Sequence, residues 1–302
     1  MWILFAFGSA FFAGITAILS KSGIRNTDSN VATAVRTIVV LAFSWLMVFI
    51  VGSQNTITEL DSKTMLFLIL SGLATGASWL CYFKALQLGD VNKVTPIDKS
   101  STILTMLLAF LFLGEQITVI KVIAVILIGI GTFLMIQRKK IAEDKIAEDK
   151  IAEDKIAEGK TAKKSSWIMY ASLSAVFASL TSILGKVGID GVESNLGTAI
   201  RTVVVLVMAW IIVFITKKQN TIKLIDIKSW IFLVLSGIAT GASWICYYRA
   251  LKDGLASVVV PIDKLSILLT IIFSYVFLKE KLSKKAILGL ILIVAGTISL
   301  LF

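Results

Sequence analysis

The sequence predicts an all-α polytopic membrane protein, with ten transmembrane helices arranged as two inverted five-helix repeats. Three observations carry that prediction: long apolar runs, one offset that superposes the two halves of the chain, and basic residues that change loops between the halves. Of 302 residues, 57% are apolar. Runs such as "WILFAFGSAFFAGITAIL" from Trp2 and "TMLFLILSGLATGASWLCYF" from Thr64 carry no charge. A helix rises about 1.5 Å per residue, so about 20 apolar residues cross a hydrocarbon core of about 30 Å. About ten such segments occur, near residues 2–20, 31–51, 64–88, 93–113, 119–137, 166–185, 197–216, 229–253, 258–278 and 285–302. They lack the alternation of barrel strands, so a helical bundle is expected.

The first segment has no positive n-region and has a counterpart at 167–185 in mid-chain, so it reads as a transmembrane helix and not as a signal peptide. Asp98 and Asp263, Arg36 and Arg201, and Trp2 and Trp167 are all separated by 165 positions. That single gap-free offset aligns residues 2–137 with 167–302, with about half of the positions identical. The expected units are a first repeat over 1–137, a charged linker over 138–165 and a second repeat over 166–302. The linker, "IAEDKIAEDKIAEDKIAEGKTAKKSS", places Ile every five residues, so a helix there has no apolar face for a partner or a bilayer. Cys81 and Cys246 fall at matching helix positions and read as small packing residues rather than a disulfide.

Five helices per repeat is an odd number, so the second repeat enters the membrane upside down. The charges agree. In the first repeat Lys21 and Arg25 mark one side; in the second, Lys217, Lys218 and Lys223, and then Lys279, Lys281, Lys284 and Lys285, enrich the loops that had few. By the positive-inside rule the linker is cytoplasmic and both termini lie outside, in a bacterial inner membrane. The net charge of +11 is thereby an account of topology, and nucleic acid is not an expected partner.

Ionisable residues within the apolar segments are costly and point to function or pairing. Counted along the helices from the linker side, Arg36 lies roughly 9 Å in. Lys84, Asp98 and Lys99 come to a similar depth on the next two helices. Arg201, Arg249, Asp263 and Lys264 repeat the set at the opposite side. Polar stripes run beside them: Ser101 follows Asp98, Ser266 follows Asp263, and Tyr82 and Tyr247 end the stripes Ser71, Thr75, Ser78 and Ser236, Thr240, Ser243. These twelve residues, Arg36, Lys84, Asp98, Lys99, Ser101, Tyr82 and Arg201, Arg249, Asp263, Lys264, Ser266, Tyr247, are the expected substrate path or gates. Other readings stand beside that one. Lys84 and Arg249 can snorkel to headgroups, and Arg36 with Asp98 can form a structural pair. The Ser and Thr stripes can be packing contacts, Trp79 and Trp244 packing or stacking groups, and Glu115 and Glu280 interfacial caps. Gly72-x-x-x-Gly76 and Gly237-x-x-x-Gly241 suit close helix approach.

The set "AVRT", "YFKALQLGDVNKVTPIDKSS" and "FLFLGEQIT", repeated as "AIRT", "YYRALKDGLASVVVPIDKLS" and "YVFLKEKLS", resembles the EamA unit of the drug/metabolite transporter superfamily. The resemblance covers nearly all of the chain outside the linker. It implies a ten-helix transporter with a central cavity between the halves, moving one of a varied set of metabolites. The halves are unusually alike, close to single five-helix EamA proteins that pair in antiparallel fashion. The charges place the termini outside, where such ten-helix members are usually drawn with them inside.

Together these readings describe an alternating-access exporter or exchanger of a small anionic or zwitterionic metabolite. The alternatives are a lipid-headgroup or lipid-linked sugar flippase, and a membrane scaffold without transport. Expected partners are the small-molecule substrate and membrane lipid; a single chain suffices, with a dimer left open. There is no metal-ligand spacing, phosphate loop or nucleophile–His arrangement, so neither a cofactor nor an enzyme activity is expected.

Overall fold

A computed structural model describes residues 1–23, 27–88, 94, 97–98, 100–136, 161–278 and 283–302. The described residues form helices and connecting turns. In chain order these are α1 (Trp2–Gly23), α2 (Ser29–Val51), α3 (Ser62–Leu88), α4 (Ser101–Phe112) and α5 (Val119–Ile136) in the first repeat. The second has α6 (Thr161–Gly188), α7 (Ser194–Ile215), α8 (Ile227–Asp253), α9 (Ala256–Lys264), α10 (Ser266–Leu278) and α11 (Lys284–Ser299). Six of them, α1, α2, α3, α6, α7 and α8, are long and apolar enough to cross a bilayer; α4 and α5 are shorter apolar helices.

Isolated acidic residues set the helix starts. Asp28 accepts hydrogen bonds from the amides of Asn30 and Val31 to cap α2, and its counterpart Glu193 accepts from Asn195 and Leu196 to cap α7. Asp61 accepts from the Thr64 amide, and its counterpart Asp226 accepts from the Ser229 amide at the start of α8. Each satisfies amides that a helix leaves without internal partners. Hydrogen bonds from Ser229 hold the Asp226 carboxyl below its usual range. A lowered value means that the cap persists above the ordinary carboxylate range and is lost only as pH falls through the lowered value. Gly52, at φ 77°, closes α2 in the left-handed region that favours glycine.

The repeats are continuous in sequence but interlocked in space. α3 of the first repeat packs along α6 of the second, and α8 of the second packs along α1 of the first; α2 lies against α7 and α5 against α11. Small residues permit this. A Cβ at Gly72 would lie 2.8 Å from Val204 Cβ, and one at Gly237 would lie 2.6 Å from Val39 Cβ, so each third helix touches the second helix of the other repeat at its glycines. Gly131 and Gly289 bring α5 and α11 together: a Cβ on either would sit 2.5 Å from the other's carbonyl oxygen.

Hydroxyl pairs follow the same crossing. Ser9, Thr16 and Ser20 of α1 meet Ser243, Thr240 and Ser236 of α8 at 3.3, 3.3 and 2.7 Å. On the related interface Ser78 pairs with Ser174 at 3.3 Å, and Thr75 donates to Thr181 at 3.3 Å. With no water to compete in the hydrocarbon core, such groups join helices. The third-helix stripes thus serve helix–helix contacts.

Candidate functional site

The two arginines of the second helices cross to the opposite repeat. Arg201 on α7 is fully buried; its Nε donates to Ser71 Oγ and its Nη2 to Thr75 Oγ1, both at 2.9 Å and both on α3. The guanidinium also lies over the Tyr248 ring, 4.1 Å from its centroid, a cation–π contact. Arg36 on α2 is 8% exposed and donates from Nη2 to Thr240 Oγ1 on α8, again at 2.9 Å. Arg36 Nε and Arg201 Nη1 are buried without a hydrogen-bond partner. Among the described residues no carboxylate pairs with either guanidinium.

The alternative reading of Arg36 with Asp98 as a structural ion pair is therefore not met. Asp98 instead accepts from Ser174 Oγ of α6 at 2.7 Å, and Asp263 accepts from Ser9 Oγ of α1. Each carboxylate is therefore held by the first helix of the other repeat, beside the Ser78–Ser174 or Ser9–Ser243 contact. "PIDKLS" also breaks the helix: Pro261 lies inside α9, and α9 gives way to α10 at Leu265, immediately after Asp263 and Lys264. Proline lacks an amide N–H, so Pro261 leaves the turn before it without one helical hydrogen bond. In the first repeat Ser100 N and Oγ both donate to the Ile97 carbonyl just before α4 begins. Discontinuous helices at ionisable residues recur at transporter binding sites.

Lys84 and Arg249 do not join these groups. Both are exposed, and Arg249 pairs instead with Asp253 at 3.3 Å along its own helix. Nine residues separate Lys84 from Thr75, and Arg249 from Thr240, so each lies about 180° around the helix from the hydroxyl that meets an arginine. The count of depth from the sequence omitted that rotation. Lys264 is half-buried and lines a small cavity with Thr102, Thr132, Pro261 and Thr297. Ser101 and Ser266 are buried; the Ser101 hydroxyl lacks a partner, and the Ser266 carbonyl accepts from Thr270. Tyr247 donates to Ser182 Oγ at 2.8 Å, and Tyr82 is half-buried on α3. Lys99 and Glu280 lie outside the described residues. Cys81 and Cys246 are free thiols.

Trp79 and Trp244, which occupy equivalent positions, meet with ring centroids 5.4 Å apart and planes tilted by 41°, and Arg201 lies 5.9 Å from the Trp244 ring. The pair joins α3 to α8 across the two halves. A cavity beside it is lined by Asn30, Thr33, Gly76, Trp79 and Val205 and does not include the arginines. Sequence reasoning missed Tyr248: its counterpart is Phe83, so the offset flagged no shared polar position.

Two interlocked helical repeats, a buried arginine on each second helix and a helix broken at Asp263 and Lys264 mark a polytopic membrane protein of transporter type. The chain belongs to the EamA-like transporter family, which matches it over residues 1–137 and again over 165–302. An uncharacterized transporter in the cobO 3' region of Sinorhizobium sp. is 47% identical over 135 residues, covering 45% of this chain and 96% of that protein, which is thus one repeat long. The uncharacterized protein MJ1333.1 of Methanocaldococcus jannaschii is 32% identical over 83 residues, 28% of this chain and 61% of its own. A solved crystal structure at 15% identity superposes with a TM-score of 0.74 over 99% of this chain and 97% of its own, which shows a shared fold.

Proposed function

We propose that the chain moves a small anionic or zwitterionic solute by alternating access, as an exporter or exchanger, through ten spans with the linker cytoplasmic. The observation that supports this most is the state of the two arginines. Two buried guanidiniums donate to hydroxyls and meet no carboxylate among the described residues, and each keeps one buried N–H without a partner. A buried charge without a counter-charge is costly in apolar surroundings. A carboxylate or phosphate on the solute supplies the missing acceptor, and guanidinium suits both.

The arginines are equivalent by the repeat but unequal in their contacts. Arg201 is held by two hydroxyls and Tyr248, Arg36 by one hydroxyl. In the inverted arrangement the two halves exchange such states, which supplies alternating access. Asp98 and Asp263 then hold the first helices in register with the interruption that follows them.

The test is the thermal stability of purified protein against anionic, zwitterionic and cationic metabolites, repeated with Arg36→Ala/Arg201→Ala. One anionic or zwitterionic class should raise the melting temperature of the parent, and the double variant should lose the shift. Stabilisation by cations that survives the substitutions, or no stabilisation by any class, rules the proposal out. A second expectation concerns Asp98→Asn. The amide keeps an acceptor for Ser174, so folded yield should change little while transport slows several-fold; equal losses in both would make Asp98 purely structural.

A further inference from the structure

The end of the bundle away from the linker carries a clamp on the turn between α8 and α9. Lys186 Nζ, near the end of α6, donates to the carbonyls of Leu251, Lys252 and Gly254, at 2.5, 3.0 and 2.8 Å. On the far side of the turn the Glu115 carboxylate accepts from the Ala256 amide at 2.7 Å, from the Ser257 amide at 3.2 Å and from the Ser257 hydroxyl. Lys121 Nζ stands 3.6 Å from Glu115, and the two side chains are only 9% and 4% exposed. A cation thus meets the carbonyl end of α8 and an anion the amide end of α9, the favourable sense at each terminus.

The two halves of the clamp have different reach. Lys186 belongs to the same repeat as α8 and α9, so it fixes the shape of the turn. Glu115 belongs to the first repeat and ties that turn across the repeat boundary. Tyr248 and Ser182, which touch Arg201 and Tyr247, lie one turn or less beneath it. We propose that Glu115 is the latch that holds this end of the path closed: its carboxylate must leave the start of α9 before the Arg201 site can open in that direction. The inference rests on the alternating-access reading above and adds to it the residue that gates one side.

The test reads access and not transport. Ser182 sits beneath the clamp, buried, and its repeat counterpart toward the linker end is Ala17. Cysteine is placed at one position or the other, and labelling by a membrane-impermeant maleimide is followed in nanodiscs, with peptide mass spectrometry separating native Cys81 and Cys246. Glu115→Gln keeps the shape and one acceptor but removes the charge. It should speed labelling of Ser182→Cys at least ten-fold and leave Ala17→Cys unchanged or slower. An unchanged rate at Ser182→Cys, or an equal rise at both positions, overturns the latch. If Glu115→Gln does not fold, Ser257→Ala replaces it, with at least a two-fold rise at Ser182→Cys expected and no rise overturning the proposal. No solute is required, so a failed metabolite screen and a failed latch are separate results.

Discussion

Arg201→Met is expected to give a protein at least as thermally stable as the parent and unable to bind or transport its solute. Two effects oppose each other. The guanidinium donates to Ser71 and Thr75, and hydrogen bonds to charged groups contribute about 1.5–3 kcal/mol each. Against them stands the cost of holding an uncompensated charge away from water, several kcal/mol after relaxation. The hydroxyls do not become orphans when Arg201 leaves. Ser71 Oγ still donates to the Thr181 carbonyl at 2.7 Å, and Thr75 Oγ1 to the Ser71 carbonyl at 2.8 Å. Methionine is flexible and fills much of the same volume against Tyr248 and Trp244. The charge penalty thus offsets the lost bonds, and retained or raised stability with loss of function is the signature of a group kept for its ligand. Unfolding of Arg201→Met, with transport surviving in whatever folded protein remains, would assign the arginine to structure alone.

How much of this was readable beforehand depends on which coordinate of the helix was used. The 165-residue offset and the isolation of Arg36 and Arg201 in apolar segments are properties of the sequence, and the structure retains both, whereas the interruption at "PIDKLS" divides a stretch, 258–278, that reads in sequence as one span. Depth came from the helical rise, and rise alone placed Lys84 with Asp98. Rotation about the axis, equally available from the sequence, puts Lys84 on the face opposite Thr75. The crossing of the repeats was less accessible. An internal alignment says which residues are equivalent, but not whether a third helix packs within its own repeat or against the other. The first helices also carry hydroxyls, at Ser9, Thr16 and Ser20 and at Ser174 and Thr181, but their spacing of seven and four residues does not reproduce the four and three of the third helices, so no local pattern announced the partner. Glu115 could be read as a cap; that it caps α9, from the other repeat, is set by tertiary packing with no local trace.

Gly237→Ala is expected to cost both stability and transport, whereas Gly8→Ala is neutral or mildly stabilising. Alanine is favoured over glycine within a helix by about 1 kcal/mol, so propensity alone predicts a gain at both sites. Space decides the sign. At Gly8 a Cβ would meet Cys246 Sγ at 3.5 Å, an ordinary contact. At Gly237 it would meet Val39 Cβ at 2.6 Å, Val39 Cγ1 at 2.9 Å and the Arg36 carbonyl at 3.0 Å, well inside the roughly 3.5–4.0 Å at which carbons attract. Two of these are β-carbon and backbone, which no rotamer change can move, so α8 and α2 must separate. Overpacking of this kind costs about 1–3 kcal/mol, enough to reverse the propensity gain. Separation also stretches the Arg36–Thr240 hydrogen bond, now 2.9 Å, and so loosens a guanidinium in the proposed path. Melting temperature and transport should therefore fall together in Gly237→Ala and in the equivalent Gly72→Ala, where the second helix of the other repeat is as close. A Gly237→Ala protein that melts with Gly8→Ala would mean that α2 can retreat freely, and the arginines would then owe their positions to something other than the glycine contact.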